Sequence, residues 1–144
     1  MGIQRLEHVG IVVDDLAEAI EFFSALGLER RGEGTVEGEW AGRIIGLEDV
    51  KAEMAMLRTA DGHGEIELVK FHSPPYEGDN PPAPSNAPGI RHLAFLVDDI
   101  DATVADLRAR GTELVGEVVD YKDVYRLCYV RGPAGIIVEL AQKL

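Results

Sequence analysis

Four side chains in this chain are suited to divalent-cation chemistry, and they come as two matching pairs, His8 with Glu67 and His92 with Glu139. Imidazole nitrogens and carboxylate oxygens both ligate divalent first-row metals. Glu139 stands in the apolar run GIIVELA, where an ionised carboxylate is costly to bury unless something positive compensates. Glu67 sits similarly in EIELVKF. Two imidazoles and two carboxylates would hold one ion and leave room for water or substrate oxygens. Each residue alone also has an ordinary reading. A strand histidine is often satisfied within the sheet, and a strand glutamate often faces solvent or an arginine such as Arg91 or Arg126. Repetition raises the four above that background, although duplication preserves scaffold residues as well.

The elements that must position these residues are written twice. Overlaying Leu6–Gly27 (LEHVGIVVDDLAEAIEFFSALG) on Gly89–Gly111 (GIRHLAFLVDDIDATVADLRARG) so that His8 meets His92 also pairs Val13-Asp14-Asp15 with Val97-Asp98-Asp99, Leu16 with Ile100 and Gly27 with Gly111. Each copy closes on an echo, Ile66-Glu67-Leu68 and Val138-Glu139-Leu140. Each copy therefore opens near a histidine and ends on a glutamate.

Within the first copy, the β-branched run from Leu6 to Val13 predicts a strand with His8, Gly10 and Val12 on one face. Asp15 and Glu18 have the spacing of a helix N-terminal capping box. Leu16, Ile20, Phe23 and Leu26 make an apolar stripe that Gly27 ends. Arg30 to Val36 reads as a short strand, and Glu39 to Leu47 as an irregular or helical insertion without a partner in the second copy. Lys51 to Arg58 and Glu65 to Phe71 alternate as strands about the turn Ala60-Asp61-Gly62-His63-Gly64. The second copy predicts strands over Arg91–Val97, Glu113–Val119, Val124–Arg131 and Ile136–Ala141. Its helix runs from Ile100 to Arg110, with Asp99 as N-cap and Ile100, Val104 and Leu107 inward. Ser73 to Gly89 holds six of the seven prolines and no periodicity, which makes it a linker. The expected organisation is α+β: two tandem βαβββ modules, 1–72 and 90–144, joined by 73–89 within one structural domain. A four-stranded sheet with one helix covers one face only, so the other must meet a partner sheet or wall a cavity.

At 144 residues the chain matches one domain or two small coupled modules, and 46% hydrophobic with 28% charged residues is a globular composition. A net charge of −12 argues against nucleic acid and anionic membrane surfaces. The start, MGIQRLEHV, has no basic and apolar leader pattern, so a cytoplasmic location is expected. Cys128 is the single cysteine and, within the alternation VYRLCYV, reads as a core residue. His63 and His72 read as exposed loop residues. By alternation, Arg43, Tyr125, Arg126 and Tyr129 are candidates for a cavity wall, and Trp40 joins them as an aromatic candidate.

The run from His8 to Gly27, together with GIRHLAFLVDDI and the closing GPAGIIVEL, resembles the vicinal oxygen chelate superfamily. That family includes glyoxalase I, methylmalonyl-CoA epimerase, extradiol dioxygenases and the fosfomycin- and bleomycin-resistance proteins. The resemblance covers nearly the whole chain and implies curved mixed sheets around a metal cavity with helices on the outer face. It places His8, Glu67, His92 and Glu139 on the four ligand positions, a set most similar to bacterial-type glyoxalase I. No glutathione-binding set of arginines or asparagines is matched.

The resemblance implies one divalent metal per site, Ni, Co, Zn, Mn or Fe, acting as Lewis acid on vicinal oxygens of a small substrate. Glu67 or Glu139 would be the base in proton transfer next to a carbonyl, giving a lyase or isomerase. Two rivals share the fold: a drug-sequestering protein whose cavity Trp40, Tyr125 and Tyr129 would line, and an extradiol-type dioxygenase using two histidines and one carboxylate. A homodimer is expected, because modules of relatives pair either within a chain or across two.

Overall fold

In a computed structural model, which describes residues 2–144, the chain forms two mixed four-stranded sheets and three α-helices. It divides into two compact units between Asp79 and Asn80, within the proline-rich stretch. The class is α+β with tandem βαβββ modules. No helix of the described residues is long and apolar enough to cross a membrane.

In the first unit β1 (Val9–Val12) leads into α1 (Leu16–Ala25), then β2 (Glu29–Glu37), α2 (Glu39–Ile45), β3 (Lys51–Arg58) and β4 (Glu65–Ser73). The sheet order is β1-β4-β3-β2, with β1 parallel to β4 and the other pairs antiparallel. Asp15 caps α1 by accepting a hydrogen bond from the Glu18 backbone N–H at 3.0 Å, relieving one of the orphan donors of the first turn. Ile11, Ala55, Ile66 and Leu68 are buried on the sheet face that α1 covers.

The second unit repeats the plan with β5 (His92–Leu96), α3 (Ile100–Ala109), β6 (Val119–Tyr121), β7 (Tyr125–Arg131) and β8 (Ile137–Lys143) in the order β5-β8-β7-β6. Asp99 caps α3 through the Ala102 N–H at 3.0 Å. The side-chain oxygen of Gln142 accepts from the Ile100 N–H at 2.8 Å, fastening the helix start to the end of β8. Ile100, Val104 and Leu107 are buried, as the apolar spacing requires.

Three expectations change at this level. The face of α1 turned to the sheet is centred on Ala19 and Phe23, both fully buried, while Leu16, Ile20 and Leu26 are half-buried at its margins. The reason is that a small residue at the helix midpoint permits close approach, so Ala19 and not a bulkier neighbour takes the nearest position. Glu113–Val119 is not a strand. Leu114 makes an isolated bridge to Val130, and pairing resumes only at Val119. Gly116 and the exposed Val115 and Glu117 leave this stretch little to bury. Lastly, β4 runs on to Ser73, so His72 lies in a strand, with Nε2 2.8 Å from the Glu53 carboxylate on β3.

Cys128 is buried and free, on the helix-covered side of β7 opposite Leu140. Burial pushes its thiol pKa up, which suits a core residue and not a nucleophile.

Candidate metal centre

The repeat delivers each histidine to the same place relative to its glutamate. His8 immediately precedes β1, and His92 is the first residue of β5. Each of these strands runs parallel to the last strand of its unit, and the partner strand carries the carboxylate: Gly10 pairs with Glu67, and Ala94 with Glu139. Alternation turns Ile66 and Leu68, or Val138 and Leu140, into the helix-covered core, which forces Glu67 and Glu139 onto the other face.

The resulting pairs are alike. His8 Nε2 lies 3.9 Å from a Glu67 oxygen, and His92 Nε2 lies 3.7 Å from a Glu139 oxygen. These gaps are too long for hydrogen bonds. They fall within the roughly 4.2 Å that can separate two donors each about 2.1 Å from one ion. Each pair therefore has the spacing to supply two donors to a divalent cation. Within the described residues these remain pairs, and no group of three or more His, Cys, Asp or Glu is gathered about one point.

The surroundings of the pairs differ. In the first unit the row through Glu67 reads Gly10, Glu67, Met56, Gly32, and the next reads Val12, Val69, Met54, Gly34. Glycines leave this face shallow and methionines make it soft and apolar. In the second unit the row through Glu139 reads Ala94, Glu139, Tyr129. Tyr129 lies with its ring centroid 5.1 Å from that of His92. Its hydroxyl pKa is raised, first by burial and then by the negative charge of the Glu139 carboxylate.

Beside Glu139 a concavity of about 360 Å³ opens on the same sheet face, lined by Ala94, Phe95, Leu96, Tyr121, Tyr125, Leu127, Glu139 and Ala141. Tyr125 is thus part of a wall that is mostly apolar, with one carboxylate. Ala94, Leu96, Tyr121, Leu127 and Ala141 were not singled out by sequence reasoning. The signal was the alternation of β5, β7 and β8, which needs the strand register to be read across strands.

The other sequence candidates lie elsewhere. Arg126 points to the helix side of β7, where Asp120 and Asp101 hold it at 2.9 Å and 3.0 Å and raise its pKa further. Arg43 and Trp40 are on α2, which follows β2 at the sheet edge opposite β1. Arg43 lines a separate concavity of about 810 Å³ with Glu37, Glu39, Glu48 and Asp49, and neither His8 nor Glu67 takes part in it. Trp40 is exposed. His63 is exposed in the β3–β4 turn, its N–H donating to Asp61.

Comparison with known proteins gives this arrangement a context. Residues 7–129 match the family model of the Glyoxalase/Bleomycin resistance protein/Dioxygenase superfamily. A solved glyoxalase family protein from Bacillus cereus is 49% identical, with a TM-score of 0.96 over 100% of this chain and 97% of that one. The 2-epi-5-epi-valiolone epimerase of Actinomyces sp. is 30% identical over 96% of this chain and 79% of its own length. The fosfomycin resistance protein FosX of Listeria monocytogenes, solved with Mn(II), shares the fold at 18% identity and a TM-score of 0.62, covering 96% of this chain and 90% of that one.

Proposed function

Because the chain belongs to the glyoxalase/bleomycin resistance protein/dioxygenase superfamily, we propose that it is a metal-dependent lyase or isomerase moving a proton next to a carbonyl of a small substrate. The observation that carries the reading is the duplicated His/Glu pair, with Nε2-to-oxygen gaps of 3.9 Å and 3.7 Å. His8, Glu67, His92 and Glu139 would hold one divalent ion. When bound, such an ion supplies Lewis-acid polarisation of a carbonyl or of vicinal oxygens. The chain's own part is to orient the substrate against the sheet face and to accept the proton on a carboxylate, Glu67 or Glu139. An epimerase among the relatives and a Mn(II)-bound protein of the same fold support this class of chemistry.

The test is proton exchange by metal-loaded protein on a panel: the methylglyoxal–glutathione hemithioacetal, methylmalonyl-CoA and 2-epi-5-epi-valiolone. Exchange or net conversion of at least one, lost in a Glu67→Gln, Glu139→Gln double variant, is the expected result. Inactivity on all three sinks these named activities. A second reading, sequestration of an apolar ligand without turnover, is favoured by the apolar concavity beside Glu139. Tight binding of an aromatic compound by metal-free protein, with no conversion, would select it.

We also propose that the protein is a homodimer. Val12 and Leu96, equivalent in the repeat, are exposed apolar residues on the uncovered faces of the two sheets. Such faces favour association. His8→Ala and His92→Ala chains, unfolded and refolded together, would recover part of the metal binding if the ion is held by residues of two chains. They would recover none if one chain holds it. A monomer in sedimentation at micromolar concentration defeats the dimer.

A further inference from the structure

The register that matches Glu67 with Glu139 also matches two arginines. Met56 is opposite Glu67 and Tyr129 opposite Glu139, and two residues further along the same strands stand Arg58 and Arg131. Alternation puts each arginine on the face of its glutamate, about 7 Å along the strand. Their surroundings differ. Arg131 faces Ile137, and its Nη1 donates to the carbonyls of Ala83 and Gly135 at 2.9 Å each, which ties Ala83 of the proline-rich stretch to β7. Arg58 faces Glu65, and its Nη2 lies 3.5 Å from a Glu65 oxygen, at the outer edge of hydrogen bonding. Among the described residues that is its one polar side-chain contact, and its Nε is buried with no partner. A guanidinium carries five N–H donors in a planar fork, so most of the capacity of Arg58 is unused. The side chain is 35% exposed, so the fork can be reached from solvent.

We propose that Arg58 is an anion-binding residue of the first unit, and that the small substrate carries a carboxylate or phosphate group that docks on it. Both groups present paired oxygens to a guanidinium fork. The substrate class rests on the lyase or isomerase reading above: with the anionic group on Arg58, a reacting carbon a few bonds away is within reach of Glu67. A chain of net charge −12 repels anions, and a local arginine with unused donors offsets that repulsion where the substrate lands. Glu65 is the competitor for the same fork, and its 3.5 Å separation leaves that pair loose.

The experiment observes the arginine Nε–H resonances of full-length, metal-free protein labelled with nitrogen-15, with Arg58→Lys and Arg131→Lys identifying the two that matter. Adding pyruvate or inorganic phosphate at constant ionic strength should move the Arg58 resonance saturably and leave that of Arg131 in place. Saturation at the lower concentration by pyruvate assigns a carboxylate, and by phosphate a phosphate ester. Followed through the backbone amides of β3 and β4, binding of the effective anion should weaken about 10- to 100-fold in Arg58→Leu, the loss expected for charge-assisted hydrogen bonds. Glu65→Gln, which removes the competitor, should tighten it. An otherwise undisturbed amide spectrum separates loss of the receptor from loss of the fold. An Arg58 resonance that moves no more than those of the other arginines overturns the proposal, and so does anion binding that is unchanged in Arg58→Leu or weakened in Glu65→Gln. No metal is present, so failure here leaves the metal reading standing. A protein that takes up no divalent ion loses the metal reading alone, and the Arg58 resonance still decides the anion site.

Discussion

Replacing His92 with alanine should empty the protein of its divalent ion. Wild-type protein reconstituted with Ni²⁺, Co²⁺, Zn²⁺ or Mn²⁺ and freed of excess metal should retain about one ion per site, and the variant none. The imidazole supplies a nitrogen donor that no neighbour replaces: Ile137 is beside it on β8, and Ala94 follows on the same face. Loss of a direct donor should exceed the roughly 10- to 100-fold weakening expected from an outer partner. The variant should stay folded, because His92 lies outside the buried core to which Val138 and Leu140 belong. Elemental analysis gives the ion content, and circular dichroism gives the fold. A His92→Ala protein that keeps its ion removes this histidine from the site, and wild-type protein without metal above background favours the sequestering reading.

The second large effect is on stability. Phe23 is fully buried at the centre of the face α1 presents to the sheet, with the Phe22 ring edge-on at 5.0 Å. Phe23→Ala should cost about 3–5 kcal/mol, the transfer term plus the cavity left where α1 packs on β3 and β4. That is a large share of the roughly 5–15 kcal/mol that holds a domain folded. Trp40 is the chain's one tryptophan and lies in the same unit, so its fluorescence during denaturant unfolding reports on the unit that contains Phe23. Phe22→Ala, at a half-buried position, should cost less. Equal losses for the two would show that α1 does not seat its face as described.

What the sequence determined by itself is the repeat and everything that follows from local periodicity. The capped starts of α1 and α3 at Asp15 and Asp99, the inward stripe Ile100, Val104 and Leu107, and β3 over Lys51–Arg58 are fixed by spacing and short-range hydrogen bonds, which a linear reading can see. The same alternation placed Glu67 and Glu139 opposite their apolar neighbours. The tertiary structure decided what lies across each strand. Arg126 and Tyr129 looked alike as alternating residues of one strand, yet three positions apart puts them on opposite faces, one between Asp120 and Asp101 and the other against His92 and Glu139. Tyr129 opposite Glu139 and Met56 opposite Glu67 are facts of antiparallel register, and register depends on which strands pair and where they start. The extension of β4 to His72 and the late start of β6 have the same origin, because a strand extends as far as a partner continues beside it. Residue types make the two His/Glu pairs recognisable; pairing between strands far apart in sequence gives each pair its own neighbours.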